Sequence, residues 1–182
     1  MSNGSDNADG LSSRNRKGSV MQQDMFDKAY AQIQLEKYDE AIKLFNQALQ
    51  MSPSNINCLN FRGFSFLKLN CYQEAIADFS AVLSQDANNV TALLNRGIAK
   101  FHLQQHQESI QDFTLVIKLD PKNSTAYHYR GIGYSNLKNY EQSITDLTEC
   151  LLVEVNNSHA FYCRGVAYSK IGQKNNDPKQ LD

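Results

Sequence analysis

The most conspicuous chemical feature of the sequence is a column of arginines that recur at intervals of 34 residues, each followed by a glycine. Guanidinium groups bind phosphates and carboxylates through paired hydrogen bonds, so such a column could hold an anionic ligand. A column of aspartates recurs at the same interval and would compete for the arginines, which favours a structural role. The two columns comprise Arg62, Arg96, Arg130 and Arg164, and Asp78, Asp112 and Asp146.

Two pairing schemes join the arginines to the aspartates, and each satisfies three arginines. Within single repeat units the pairs are Arg62–Asp78, Arg96–Asp112 and Arg130–Asp146. Between neighbouring units the pairs are Arg96–Asp78, Arg130–Asp112 and Arg164–Asp146. The arginines are expected on the helix face that is turned toward the preceding unit. We therefore favour the pairs between units, with the pairs within a unit as the alternative.

The other residues that could do chemistry are isolated. His102 and His106 are four residues apart and could in principle share a metal ion, but no third ligand accompanies them. The four cysteines lack C-x-x-C spacing, and Cys150 belongs to a column of packed residues where a thiol is inert. No glycine-rich phosphate loop or nucleophile motif is present. We therefore expect no catalytic residue, no metal, no cofactor and no enzyme activity.

The composition is that of an ordinary globular protein, with 182 residues of which 41% are hydrophobic and 20% are charged. The net charge of −1 provides no strong field to attract nucleic acid or an anionic membrane surface. No apolar run is long enough to span a bilayer, and no secretory signal is visible. We therefore expect a cytoplasmic protein with reduced cysteines and without nucleic-acid or membrane partners.

The constant interval of the arginines indicates a stacked repeat of two helices per unit. Numbered from 1, each unit has a small residue at position 8, a second small residue at position 20 and a bulky apolar residue at position 24. Small residues let two helix axes approach closely, so the glycine at position 8 is expected to be a contact residue. The predicted units are 22–55, 56–89, 90–123, 124–157 and a partial unit 158–172.

These residues resemble the pattern of the tetratricopeptide repeat family at positions 8, 17, 20, 24, 27 and 32, over most of the chain. The first unit departs from the pattern, with Ala29 in place of glycine, and the fifth unit lacks a second helix. The resemblance implies an all-α fold, a right-handed α-solenoid of antiparallel helix hairpins. It also implies a non-enzymatic scaffold that binds other proteins.

In this family the first helices line a concave groove that binds peptide segments of partner proteins. The resemblance places twelve residues there: Asn57, Asn60, Phe61, Phe64, Leu94, Asn95, Ile98, Phe101, His128, Tyr129, Ile132 and Tyr162. This surface is aromatic, aliphatic and amide-bearing, which suits a peptide held by apolar anchors and hydrogen bonds. The alternative is that several of these side chains pack against neighbouring helices.

One subclass of the family grips acidic C-terminal tails through a carboxylate clamp of lysine, asparagine and arginine. In the three frames available here only Asn95 matches that set, so we expect no clamp. The alternative to a binding module is a structural segment of a longer array, or an element that self-associates through its uncapped end. Phe161 and Tyr168 form the apolar face of that end, and they could join a second copy of the chain.

Both ends of the chain are polar. Residues 1–21 are rich in Ser, Asn, Gly and Asp and are predicted to be disordered, and residues 173–182 form a polar tail. Ser19 follows a basic stretch and is a candidate phosphorylation site for a kinase that prefers basic residues.

Overall fold

The computed structural model describes residues 6–175, with side chains over residues 18–173. Within that range the chain forms nine α-helices and no strand. The helices are α1 (Asp6–Gln34), α2 (Tyr38–Met51), α3 (Ile56–Lys68), α4 (Tyr72–Leu83), α5 (Val90–His102), α6 (His106–Leu119), α7 (Ser124–Asn136), α8 (Tyr140–Val153) and α9 (Ser158–Asn175). Over the same range no helix combines the length and apolar character that a membrane span requires.

A recurring asparagine sets the start of the odd-numbered helices after α1. The side chains of Asn55, Asn89 and Asn123 accept hydrogen bonds from the backbone N–H groups three residues later, at 2.9–3.0 Å. Asn157 does the same at the start of α9, where it accepts from the Ala160 N–H at 2.9 Å. Such caps satisfy an otherwise unpaired donor of the first helical turn. As a result α3, α5, α7 and α9 begin at the first residue of units two to five.

The turn inside each full unit also repeats. Glu36, Asn70, Gln104 and Lys138 have positive φ angles between 58° and 62°, and each directly follows a leucine that ends the first helix. The Lys37 N–H donates to the Gln32 carbonyl at 2.9 Å across the first of these turns. This is the helix ending in which one left-handed residue lets the chain reverse. It places the second helix antiparallel to the first.

The chain divides into two compact halves, Met1–Gln85 and Asp86–Asp182, and each half is a stack of hairpins. In the N-terminal half α3 packs between α2 and α4, and α1 also contacts α3. In the C-terminal half α7 packs between α6 and α8, and α9 packs on α8. The first helices also touch one another, α5 with α7 and α7 with α9. Each half therefore has one wall built from first helices.

The glycines at position 8 are contact residues, as the sequence predicts, and the partner they contact is the bulky residue at position 24. A Cβ atom at Gly97 would lie 2.7 Å from the Phe113 ring, and one at Gly131 would lie 2.9 Å from Leu147. Phe113 and Leu147 are fully buried. The glycine backbone thus lies directly against the largest side chain of the partner helix.

The arginine and aspartate columns pair within each unit, so the preference for pairs between units is wrong. Arg62 donates from Nε and Nη2 to Asp78 at 2.8 and 2.6 Å. Arg130 makes the same two bonds to Asp146, both at 2.7 Å. The third pair, Arg96–Asp112, has distances of 3.0 and 2.7 Å.

The close approach at the glycine explains this pairing. Each arginine precedes the glycine, and each aspartate precedes the bulky residue that the glycine contacts. A Cβ atom at Gly131 would lie only 3.3 Å from the Asp146 Cβ. The contact that joins the two helices of a unit therefore also brings their charged neighbours together.

The arginines nevertheless reach the preceding unit through their third nitrogen. Nη1 of Arg62 donates to Asn46 Oδ1 at 2.6 Å, and Nη1 of Arg130 donates to Thr114 Oγ1 at 3.1 Å. Both acceptors are neutral side chains on the preceding second helix. Each of these arginines thus binds its own aspartate ionically and the neighbouring hairpin by a neutral hydrogen bond.

The N-terminal prediction differs from the structure. α1 begins at Asp6, so residues 6–21, which are predicted to be disordered, are helical, while residues 1–5 lie outside the described range. No proline interrupts the chain before α1 ends, and extending an existing helix costs little compared with starting one. Ser19 is exposed on this helix, and its phosphorylation stays a prediction.

The C-terminal helix also extends beyond the predicted boundary at Gly172. α9 continues to Asn175, so the first three residues of the predicted polar tail are helical. Residues 176–182 of that tail lie outside the described range.

Replacing Gly97 by leucine is expected to destabilise the C-terminal half. A side chain there would overlap the buried Phe113 ring, and such overpacking costs about 1–3 kcal/mol or more. Urea unfolding followed by helix circular dichroism measures the change. The matched control is Gly165→Leu, because no atom of the residues that the structure describes lies within 4 Å of a Cβ built at Gly165. Parent-like stability of Gly97→Leu would mean that the repeat register is wrong.

Replacing Asp112 by alanine is expected to cost about 3–5 kcal/mol, because it removes the buried carboxylate that binds two half-buried cations. The Asp112 side chain is 3% exposed and binds both Arg96 and Lys100, each at 2.7 Å. The control is Asp24→Ala, which breaks an ion pair of 2.6 Å whose partners are 63% and 57% exposed. That exposed pair is expected to contribute less than about 1 kcal/mol. Equal melting temperatures for the two variants would contradict the prediction.

Candidate functional site

The wall of first helices in the N-terminal half contains four of the predicted groove residues. Phe61 is half-buried among aromatic rings, with centroids 5.5 Å from Phe26, 5.2 Å from Tyr30 and 6.3 Å from Phe45. Phe45 is fully buried, whereas Tyr30 is 42% exposed. Phe61 therefore joins the wall to the core, and Tyr30 carries the exposed side of the cluster.

The remaining three predicted groove residues of this half differ in access. Phe64 is half-buried against Tyr38, with ring centroids 6.4 Å apart, and the Lys68 ammonium lies 5.3 Å from its centroid. Asn60 is half-buried, and Asn57 is exposed. This wall thus offers one exposed amide beside an aromatic and cationic edge.

The wall of the C-terminal half contains the other eight predicted groove residues. Tyr129 lies between the wall and the core, with ring centroids 5.3 Å from Phe101 and 5.8 Å from Phe113. Tyr162 on α9 is 70% exposed and is the most accessible of the eight. The others are half-buried on α5 and α7: Leu94, Asn95, Ile98, Phe101, His128, Tyr129 and Ile132.

A histidine pair joins α7 to α9 on this wall. The Nε2 atom of His128 lies 3.0 Å from the Nδ1 atom of His159. On the outer sides, Cys150 Sγ is 4.0 Å from His128 Nδ1, and Cys163 Sγ is 3.7 Å from His159 Nε2. This pair was not predicted from the sequence, because the two histidines are 31 residues apart. The signal that would have found it is that position 5 of one unit adjoins position 2 of the next.

Burial and a neighbouring imidazole favour the neutral form of His128. Burial lowers the pKa of His128 below its ordinary value of 6.5, and the neighbouring His159 lowers it further, while Glu154 opposes the shift. A neutral imidazole pair can share one hydrogen bond, with one ring as donor and the other as acceptor. A doubly protonated pair at 3.0 Å would repel.

The thiols beside these histidines are not activated. Burial raises the pKa of Cys150 to about 11, and burial also raises the pKa values of Cys58 and Cys163. A thiol with a raised pKa holds little thiolate, the form that acts as a nucleophile or a metal ligand. This agrees with the prediction that Cys150 is inert.

His106, one of the two histidines that could in principle share a metal ion, packs beside an aromatic ring and an amide. The His106 ring lies against Phe101, with centroids 5.4 Å apart, and its Nε2 atom is 3.3 Å from Asn136 Nδ2. His106 thus occupies position 17 of its unit, which is a tyrosine in the other complete units: Tyr38, Tyr72 and Tyr140. Among the described residues, no group of three or more histidine, cysteine or acidic side chains is arranged to hold a metal ion.

The outer face of α9 is open. Phe161 and Tyr168 are 48% and 57% exposed, whereas Leu59 and Leu93, the counterparts of Phe161 on α3 and α5, are 5% and 2% exposed. On α3, α5 and α7 the glycine of this face contacts a buried side chain, whereas no atom in the described part of the chain lies within 4 Å of a Cβ built at Gly165. The strip that the sequence predicts to be uncovered is therefore accessible in the structure.

Acidification is expected to destabilise the C-terminal half through His128. Its pKa is lowered in the folded state, so the unfolded chain binds more protons near pH 6.5 and stability falls as the pH drops through that region. The stability contributed by neutral His128 is complete above that region. Melting temperatures at several pH values for the parent and His128→Gln measure this effect, and the variant is expected to lose part of the pH dependence. Identical profiles would contradict the assignment.

Comparison with known proteins supports the repeat architecture. Family models described as tetratricopeptide repeat match residues 23–55 and 62–124. No match was found among the curated proteins.

Solved structures of repeat proteins resemble the chain in fold. A crystal structure of MamA protein has a TM-score of 0.80 at 19% identity, covering 85% of this chain and 84% of that chain. The Arabidopsis OM64 TPR domain has a TM-score of 0.63 at 26% identity, covering 65% of this chain and 98% of that domain. A tetratricopeptide repeat protein from Parabacteroides merdae has a TM-score of 0.75 at 21% identity, covering 85% of this chain and 61% of that chain.

These similarities and the all-helical architecture confirm the predicted all-α solenoid of helix hairpins. The matched family models together span more than half of the sequence. The chain belongs to the tetratricopeptide repeat family.

Proposed function

We propose that this chain is a non-enzymatic, cytoplasmic scaffold that binds a peptide segment of a partner protein along its walls of first helices. One observation carries the proposal: side-by-side first helices in the C-terminal half form a surface of aromatic, imidazole and aliphatic side chains. Its continuity rests on the Phe101–Tyr129 contact at 5.3 Å and the His128–His159 contact at 3.0 Å. Tyr162 extends this surface as an exposed aromatic side chain.

Such a surface suits peptide recognition on physical grounds. Half-buried rings that are already packed lose little conformational freedom on binding, and aromatic anchors dominate the energy of many interfaces. Imidazole and amide groups add hydrogen bonds to a peptide backbone. The net charge of −1 gives no reason to invoke nucleic acid as a partner.

An assembly role is the second candidate, and the open face of α9 favours it. In this alternative the chain acts as a structural segment of a longer array, or it self-associates through Phe161 and Tyr168. The two candidates use different surfaces, because Tyr162 lies on the wall and Phe161 lies on the outer face of α9. Variants at these two positions therefore separate them.

Selection of peptides from a random displayed library against the purified chain tests the binding role. Tyr162→Ala is expected to weaken the selected peptides at least about tenfold, as loss of an aromatic anchor does. The matched control is Leu152→Ala, because Leu152 on α8 is 69% exposed, similar to the 70% of Tyr162. Equal affinities for both variants, or failure to select any peptide, would count against the wall.

Binding is expected to be independent of a carboxylate clamp. A clamp requires lysine, asparagine and arginine at five positions of three consecutive units. In each of the three possible frames most of these positions hold Phe, Tyr, Thr, Leu, Ile, His or Cys, and only Asn95 matches the requirement. An acidic peptide with a free C-terminus is therefore expected to bind no better than the same peptide with an amidated C-terminus. Fluorescence anisotropy measures both. A clear preference for the free carboxylate would show that a clamp exists.

A further inference from the structure

Arg164 differs from the other three arginines of its column. Its Nη1 atom donates to Thr148 Oγ1 at 3.1 Å, the contact to the preceding hairpin that Arg62 and Arg130 also make. The contact to Thr148 holds the guanidinium in register. Among the described residues, no carboxylate lies within ion-pair distance of it, whereas each of the other three binds an aspartate.

The glycine that follows Arg164 also differs from its counterparts. In the described part of the chain, no apolar side chain covers it from a second helix. Gly63 and Gly97 each lie against a buried phenylalanine ring, at 3.0 and 2.7 Å from a built Cβ. At Gly165 no atom of the described residues lies within 4 Å of a built Cβ, and the exposed rings of Phe161 and Tyr168 flank this space. The outer face of α9 thus has a cationic group beside an apolar slot. In units two to four the second helix contacts both of these features.

The chain itself shows what sequence fits such a slot. The helices that cover α3, α5 and α7 share the pattern small–Ile–x–Asp–(Phe or Leu). The small residue and the large apolar residue are fully buried against the first helix, and the aspartate binds its arginine. The three examples are Ala75–Phe79, Ser109–Phe113 and Ser143–Leu147.

We propose that the outer face of α9 is a docking site for an amphipathic helix of another protein that carries small–Ile–x–Asp–(Phe or Leu). The aspartate of that helix completes the ion pair of Arg164, and its large apolar residue enters the slot at Gly165. Apolar contact supplies the driving force, and the buried charge pair selects the partner and its register. This site is separate from the peptide-binding wall and does not depend on it.

Charge complementarity favours a foreign helix over a second copy of the chain. The sequence of α9 contains Arg164, Lys170 and Lys174 and no acidic residue, so two α9 faces brought together would oppose like charges. The acidic helices α4, α6 and α8 of a second copy are already packed, and their aspartates are already paired. The outer face of α9 is therefore complementary to an acidic amphipathic helix, and every acidic helix that covers a first helix in the described range is already packed.

The test uses a labelled peptide that reproduces residues 104–121, because α6 carries the pattern without a cysteine. Saturable binding to the parent chain is expected by fluorescence anisotropy. A peptide with Asn in place of Asp112, and separately the Arg164→Gln chain, are expected to weaken binding at least tenfold. Gly165→Leu fills the slot without a clash and is expected to abolish binding while the melting temperature is maintained.

The controls separate this site from the wall and from self-association. Tyr162→Ala is expected to leave binding of the residue 104–121 peptide unchanged, so loss in that variant with retention in Gly165→Leu would overturn the docking site in favour of the wall. No saturable binding to the parent, or equal binding of the Asp and Asn peptides, would also overturn it. Sedimentation that shows a dimer broken by Gly165→Leu would assign the face to a second copy instead.

Discussion

The hairpins of units two to four depend on one contact. In each of them a glycine on the first helix lies against a large apolar side chain on the second helix. At Gly97 the ring of Phe113 occupies the space where any Cβ would be. The helix axes therefore come close enough to bring the preceding residues, Arg96 and Asp112, into a bidentate ion pair at 3.0 and 2.7 Å. The apolar contact thus determines the ion pair, because Arg96 directly precedes Gly97 and Asp112 directly precedes Phe113.

The period and the contact residues of this fold could be predicted from the sequence, because each of them depends only on which residue type recurs at one position of the repeat. The small residue at position 8 and the bulky residue at position 24 recur in register, and an asparagine precedes each later unit. The direction of the Arg–Asp pairing could not be predicted by counting, because an arginine has several donors and reaches both helices. Arg130 shows this directly, with two nitrogens on Asp146 and the third on Thr114.

The accessible residues of the walls were harder to predict, because the groove positions are packed against the core in some units and exposed in others. Phe61 and Tyr129 were assigned to the groove, and both also pack on buried phenylalanines. Tyr162 has no such neighbour and is exposed. The His128–His159 contact depends on how α7 and α9 lie side by side, which is a property of two units and not of either alone. Residues 6–21 continue α1, and the extension of a helix that has already formed avoids the cost of nucleation.

The division of bonds at each arginine has a further consequence for how hairpins combine. The charge of Arg62 is neutralised inside its own hairpin, whose aspartate side chain is 6% exposed, and only a neutral amide of Asn46 links it to the hairpin before. A hairpin built in this way brings no unpaired charge to its neighbour, so adjacent units need only match in shape and in a hydrogen-bond acceptor. Stability is then approximately a sum of terms within units and terms between nearest neighbours, as expected for stacked repeats. α9 differs from the other first helices. Its Arg164 donates a hydrogen bond to Thr148, but within the described range it has no aspartate of its own unit as a partner. Among the described residues, the outer face of α9 therefore carries a cation without a paired carboxylate, which distinguishes this face from the hairpin interfaces before it.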